Sequence, residues 1–271
     1  MSDDPAVTRA DLLAVVEQSP AAASAHDRTG WVGLFTAGGV VEDPVGSRPH
    51  RGAAELTRFY DTFIGPREIT FHRDADVVVG TARGGIVVRD LELEVRMSAA
   101  VVMRIPAFLR YDVDIAALAI TRLRAHWELP AMVRQFARSG FAAVPVGLAL
   151  GRALIGNQGV SGALGFASGF AGVGARGKRH LADLLRSATT GDEVSVRRAV
   201  GESALVTLGD DVPISSSDLT ARLAGARWRK VIAAGNTVAA TVDGDGGRGV
   251  VIADLGNRPL AFSRLRLFTE H

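Results

Sequence analysis

The chain reads as an α+β protein built from two fused copies of one unit, each an antiparallel sheet preceded by helices. Three observations predict this. Apolar residues recur at helical spacing as far as Phe63 and then alternate through four segments between Ile69 and Trp127. A Gly- and Ala-rich run separates the halves between residues 140 and 175. Near the end, Ala261-Phe262-Ser263-Arg264-Leu265-Arg266 repeats Ala119-Ile120-Thr121-Arg122-Leu123-Arg124 at an offset of 142 residues, Thr121 to Ser263.

Taken in order, Thr8 can cap a helix whose apolar positions, Leu12, Leu13, Val15 and Val16, fall on one side. Ser19-Pro20 reads as a break or restart, because Ser caps well and Pro suits a first helical position. A second helical run, Ala21 to Phe35, carries His26, Trp31 and Leu34 and should end at Gly38 and Gly39. A short strand follows at Val40-Val41, then a turn marked by Pro44, Gly46 and Pro49. After it comes a helix with Ala53, Leu56, Phe59, Tyr60 and Phe63 at helical spacing.

Four strands should cover residues 69–79, 86–97, 99–113 and 118–127. Alternation in the third places Val101, Met103, Ile105, Ala107, Leu109, Tyr111 and Val113 on one inward face, with Arg104, Pro106, Arg110 and Asp112 opposite. In the second, Glu92, Glu94 and Arg96 should form a solvated or interface face. After His180 a compressed echo begins. Leu181, Leu184 and Leu185 repeat the first helix, residues 194–200 the second, and Ala204-Leu205-Val206 the strand at Val40.

Composition excludes several function classes. Hydrophobic residues make up 47% and charged residues 22%, enough for packed cores in 271 residues. Net charge is +2, from 31 Lys+Arg and 29 Asp+Glu, with no dense basic tract outside Arg176 to Arg179, which argues against nucleic acid. Without cysteine there is no disulfide framework and no thiol chemistry. The acidic start, Met1-Ser2-Asp3-Asp4-Pro5, is unlike a signal peptide, so a cytoplasmic setting is expected. The six histidines show no metal-ligand spacing, and no metal is expected. His126 reads as packed or exposed in preference to a place at a pocket mouth. The uncharged run after Arg152 is long enough to span a bilayer, but its glycines and the Asn157-Gln158 pair argue against membrane insertion. They favour two small-residue helices packed between the halves.

Asp43 stands where the first strand gives way to the turn, amid apolar sequence, as a proton-shuttling carboxylate would; Asp-Pro is also an ordinary turn dipeptide. Glu42-Asp43-Pro44-Val45-Gly46-Ser47, followed by Pro49, Gly52 and Phe59-Tyr60, resembles the strand-turn-helix of bacterial delta-5-3-ketosteroid isomerases, members of the nuclear transport factor 2-like (SnoaL-like) superfamily.

The resemblance implies two cone-shaped domains that pair through their sheets as an intrachain pseudo-dimer. Residues 1–130 would form the catalytic domain, 131–178 a helical connector, and 179–271 a degenerate copy in which Leu208 takes the place of Asp43. Further oligomerisation is left open. The resemblance also implies cofactor-free isomerisation of 3-oxo-delta-5 steroids to 3-oxo-delta-4 steroids, with Asp43 as general base. The family's two oxyanion donors are absent, their positions falling on Ser19 and Ala107. Tyr60 matches a supporting family tyrosine and is the expected donor. Trp31, Leu109, Tyr111 and Trp127 complete, with Ser19 and Ala107, the expected pocket for a hydrophobic substrate. Two other readings are a SnoaL-like cyclase or hydratase acting on another hydrophobic carbonyl compound, and a non-catalytic sterol or lipid carrier.

Overall fold

Thr8 opens the first helix with a capping box: its hydroxyl accepts from the Asp11 N–H at 3.3 Å, while the Asp11 carboxylate accepts from the Thr8 N–H at 2.9 Å. The computed structural model describes residues 8–81 and 84–270. In it α1 (Arg9–Ser24) runs straight through Pro20, so the break expected at Ser19-Pro20 is absent. The proline removes one backbone bond. Burial of Ser19, Pro20 and Ala23 on the inner side of the helix offsets that loss.

After α2 (Arg28–Gly33), strand β1 (Phe35–Glu42) begins five residues earlier than the Val40 start expected from sequence. Gly38 and Gly39 lie inside it, at a register shift between Phe35 and Val40, because glycines in a strand fit a bulge as readily as a helix end. Next come β2 (His50–Arg51), α3 (Gly52–Phe59) continuing into a π-helical turn at Tyr60–Ile64, and the long strands β3 (Glu68–Thr81), β4 (Gly84–Ser98), β5 (Val101–Asp114) and β6 (Ala119–His126). These four match the predicted strands to within a few residues. The sheet runs β2-β1-β6-β5-β4-β3, antiparallel except where β1 lies parallel to β6.

The connector holds α4 (Leu129–Ala137) and α5 (Ala143–Ala167), the latter kinked at Gly159. The second half repeats the plan with α6 (Gly174–Thr189), α7 (Glu193–Val200), β7 (Leu205–Leu208), β8 (Val212–Pro213), α8 (Ser216–Leu223), β9 (Arg227–Ala234), β10 (Thr237–Gly244), β11 (Gly247–Asn257) and β12 (Leu260–Thr269). Its sheet order, β8-β7-β12-β11-β10-β9, copies the first, including the one parallel pair. Glu42 faces Arg124 across β1 and β6, and Thr207 faces Arg266, 142 residues beyond Arg124, across β7 and β12. Leu208 therefore stands where the first half has Asp43.

The two sheets pack face to face through Val77, Ile86, Val88 and Phe108 on one side and Ile232, Ala239, Val250, Ile252 and Phe268 on the other. This is the pseudo-dimer. Its interface takes up part of the face of β5 opposite the cavity: Phe108 and Arg110 are buried there, with Arg110 donating to Asp210 at 3.0 Å. Glu92 and Glu94 instead pair in the open with Arg104, at 2.9 and 2.8 Å.

The connector departs from expectation. Only 6% of its most apolar window is buried, and Phe141 is 96% exposed. The sheets fill the space between the halves, so α5 crosses the first half, where Gly165 O accepts from the Arg48 N–H at 3.0 Å and Ser168 Oγ donates to Gly46 O at 3.0 Å.

Candidate functional site

A cavity of about 320 Å³ opens inside the first half, between the concave face of its sheet and the helices. That volume suits a small organic ligand. The alternation of β5 brings Met103, Ile105, Leu109 and Tyr111 to the wall, α1 adds Ser19, and α2 adds Trp31. The connector closes the rim with Leu150, Phe166 and Phe170, side chains that local sequence patterns could not assign to a site.

Asp43 enters this apolar space because β1 and β6 run parallel and end together. One chain turns at Asp43-Pro44, and the other reaches Trp127 just past His126. The Trp127 indole N–H donates to Asp43 Oδ1 at 2.6 Å, the one hydrogen bond to this carboxylate among the described residues. The turn is fixed independently of the carboxylate: Gly46 N–H donates to Glu42 Oε1 at 2.9 Å, Ser47 Oγ donates to Pro44 O at 2.6 Å, and Val45 N–H donates to Ala125 O at 2.9 Å. Protein surrounds the Asp43 carboxyl, and the surface it keeps faces the cavity. Burial pushes its pKa up to about 6, with the Trp127 bond pulling the other way. Such a group is ionised near neutral pH yet basic enough to take a proton from an activated carbon.

Of the eight residues singled out from sequence, Asp43, Ser19, Trp31, Leu109, Tyr111 and Trp127 meet at the cavity. Tyr60 and Ala107 do not line it. Phe59 and Phe63, four residues apart, share the helix face that looks inward, and Tyr60 lies off that face against Trp31, with ring centroids 5.7 Å apart. Its hydroxyl is buried without a partner among the described residues. Ala107 is fully buried in β5, with its carbonyl accepting from Lys230 Nζ of the second half at 3.0 Å. Leu109 and Tyr111 reach the cavity where that methyl does not.

Besides Ser19, the wall offers the hydroxyl-bearing side chain of Tyr111. Burial pushes its pKa up to about 12, with the neighbouring Ser19 hydroxyl pulling the other way, so it stays a hydrogen-bond donor. A small side chain at Ser19 leaves room for a ring reaching across from β5. Arg67, which sequence reading passed over, is also at the wall; it donates to Thr62 O at 2.7 Å, and burial brings its pKa down to about 10. His126 lies away from the cavity, buried with both ring nitrogens unpartnered among the described residues, its pKa held down to about 3 by burial and by nearby arginines.

Residues 12–105 match the nuclear transport factor 2 (NTF2) domain. Among solved structures, the chain is similar to the delta-5-3-ketosteroid isomerase from Mycobacterium sp., at 31% identity and a TM-score of 0.41, over 45% of this chain and 96% of that one. A Mycobacterium tuberculosis protein solved in complex with estradiol-17beta-hemisuccinate matches at 24% identity and a TM-score of 0.41, over 44% and 95%. An LEH-like epoxide hydrolase of M. tuberculosis matches at 16% identity and 0.40, over 51% and 97%.

Proposed function

The first half of this chain is an NTF2-like domain, and on that premise we propose that its cavity isomerises 3-oxo-delta-5 steroids to their conjugated delta-4 isomers without a cofactor. One observation carries the reading: a carboxylate with a pKa of about 6, held by a single hydrogen bond, faces an apolar cavity. Asp43 removes a proton from the carbon between the carbonyl and the alkene; the C–H electron pair becomes a double bond to the carbonyl carbon, and the carbonyl π pair moves onto the oxygen, in conjugation with the alkene. The resulting dienolate collapses as the Asp43 carboxylic acid returns the proton two carbons further on. No atom is gained or lost, and the base is regenerated.

The developing oxyanion needs a donor, because leaving that charge bare in an apolar cavity costs several kcal/mol. Tyr111 takes this role in our reading, replacing the expected Tyr60, since its side chain lines the wall and its hydroxyl stays protonated. The absence of cysteine fits work in the cytoplasm.

A second reading, a carrier of a sterol or other lipid, is favoured by the almost wholly apolar wall around Asp43 and by the small side chain at Ser19. Mixing the protein with 5-androstene-3,17-dione and following the ultraviolet absorbance of the conjugated enone separates the two. A rise well above the buffer rate, lost in Asp43→Asn, supports the isomerase; tight binding with no rise supports the carrier.

A further inference from the structure

The exposed apolar connector is the feature that the proposed chemistry leaves unused. Gly140–Phe170 is the one stretch among the described residues long and apolar enough to cross a membrane, yet almost none of it is buried against the rest of the chain. Val144, Leu148, Ile155, Val160 and Leu164 are all more than half exposed, as is Phe141. A helix apolar on all sides is ordinarily covered, by a protein core or by lipid.

The charge around this stretch says which. From Leu129 to Ala182 the chain holds Arg134, Arg138, Arg152, Arg176, Lys178 and Arg179 and no Asp or Glu. The whole chain carries only +2, so this segment is basic against an acidic remainder. Lys178 pairs with Glu128 at 2.7 Å. The five arginines have no carboxylate partner among the described residues, whereas Arg104 pairs with Glu92 and Arg110 with Asp210. Exposed large aliphatics flanked by free arginines are complementary to an anionic phospholipid surface, where acyl chains take the first and headgroups the second.

We propose that the connector docks the protein on an anionic bilayer, lying in the interface without spanning it. Gly159, with φ of +67°, and the Asn157-Gln158 pair break the helix midway, which suits a segment lying in the interface better than a continuous span. The same segment supplies Leu150, Phe166 and Phe170 to the rim of the cavity. Docking therefore sets that rim against the hydrocarbon, and an apolar ligand passes from the bilayer to the cavity without crossing water. The docking does not depend on which reaction the cavity performs.

The test is flotation of the intact protein with vesicles of phosphatidylglycerol or of phosphatidylcholine, at low and high salt. Wild type should float with the anionic vesicles, less so at high salt. Each of Arg134→Ser and Arg138→Ser should weaken binding roughly fivefold. Leu148→Asp combined with Leu164→Asp should abolish flotation while circular dichroism and melting temperature stay unchanged, since both side chains are exposed. Three outcomes overturn the proposal. One is wild type that ignores both vesicles. Another is retention through alkaline extraction, which marks a span. The last is a dimer in vesicle-free solution that the double variant turns into a monomer, which assigns the face to a second copy.

Discussion

Trp127 and Asp43 are 84 residues apart in sequence, and the indole N–H of the first donates to the carboxylate of the second at 2.6 Å. The bond favours the ionised form, against the burial that disfavours it. Trp127→Phe removes that support, so the Asp43 pKa should rise further. The acid limb of the pH–rate profile should move to higher pH by roughly one unit, with kcat at high pH less affected. An unmoved limb would show that the bond does not tune the base.

Asp43→Asn keeps shape and removes basicity. Turnover should fall by roughly 10² to 10⁴-fold, with ligand binding retained. The stability of the variant has a definite sign. The folded pKa of Asp43, about 6, lies above its ordinary value of 3.8, so its protonated form is favoured by folding and its ionised form disfavoured. That contribution is present below pH 3.8 and lost as pH rises through 6. At pH 8 Asp43→Asn should therefore melt higher than wild type, by on the order of 1–3 kcal/mol of stability. A melting temperature that falls at pH 8 counts against a desolvated carboxylate.

Tyr111→Phe should cost roughly 2.7 to 4 kcal/mol of transition-state stabilisation if its hydroxyl receives the oxyanion. Tyr60→Phe should leave turnover close to wild type, because the Tyr60 hydroxyl lies off the cavity with no partner. The reverse ranking, measured as kcat on the same steroid, returns the donor role to Tyr60.

The interface between the halves holds a charge that depends on one partner. Lys230 donates to Asp90, to Leu91 O at 2.6 Å and to Ala107 O at 3.0 Å, and Thr241 Oγ donates to Asp90 at 2.6 Å. Burial lowers the Lys230 pKa while Asp90 raises it. Asp90→Asn leaves the ammonium without its counter-charge, and removing one partner of a buried pair costs about 3–5 kcal/mol. Denaturant unfolding should show that loss; an unchanged midpoint would mean that water reaches the pair.

Much of this was legible in the chain. The alternation of β5 identified Leu109 and Tyr111 as inward, and the Glu42-Asp43-Pro44 run located the carboxylate. The 142-residue echo paired the halves, and the repeat of the Val40 strand by Ala204-Leu205-Val206 put Leu208 in the place of Asp43. What escaped depended on contacts between distant segments. Pro20 passed unnoticed inside α1 because burial, which local grammar does not record, outweighed one missing backbone bond. Tyr60 was singled out by its match to a family tyrosine, but Phe59 and Phe63 took the cavity face. Arg110 could be assigned to the face opposite the inward one, but its burial there, beside Phe108, depends on a second sheet. The connector's small residues suggested burial between domains, a place the sheets had already filled.

The turn that carries Asp43 rests on the other half of the chain. Gly46, with φ of +93°, lies so near Gly235 that a Cβ added to it would stand 2.5 Å from the Gly235 Cα, and Gly235 O in turn accepts from the Val173 N–H at 3.0 Å. In an assembly of two identical chains, every substitution would appear at once in the working site and in the surface that braces its neighbour. Joining both copies in one polypeptide releases that constraint. Leu208 can stand in one lobe while the opposite lobe keeps the carboxylate of Asp43, and a residue such as Gly235 can be inherited for its shape alone.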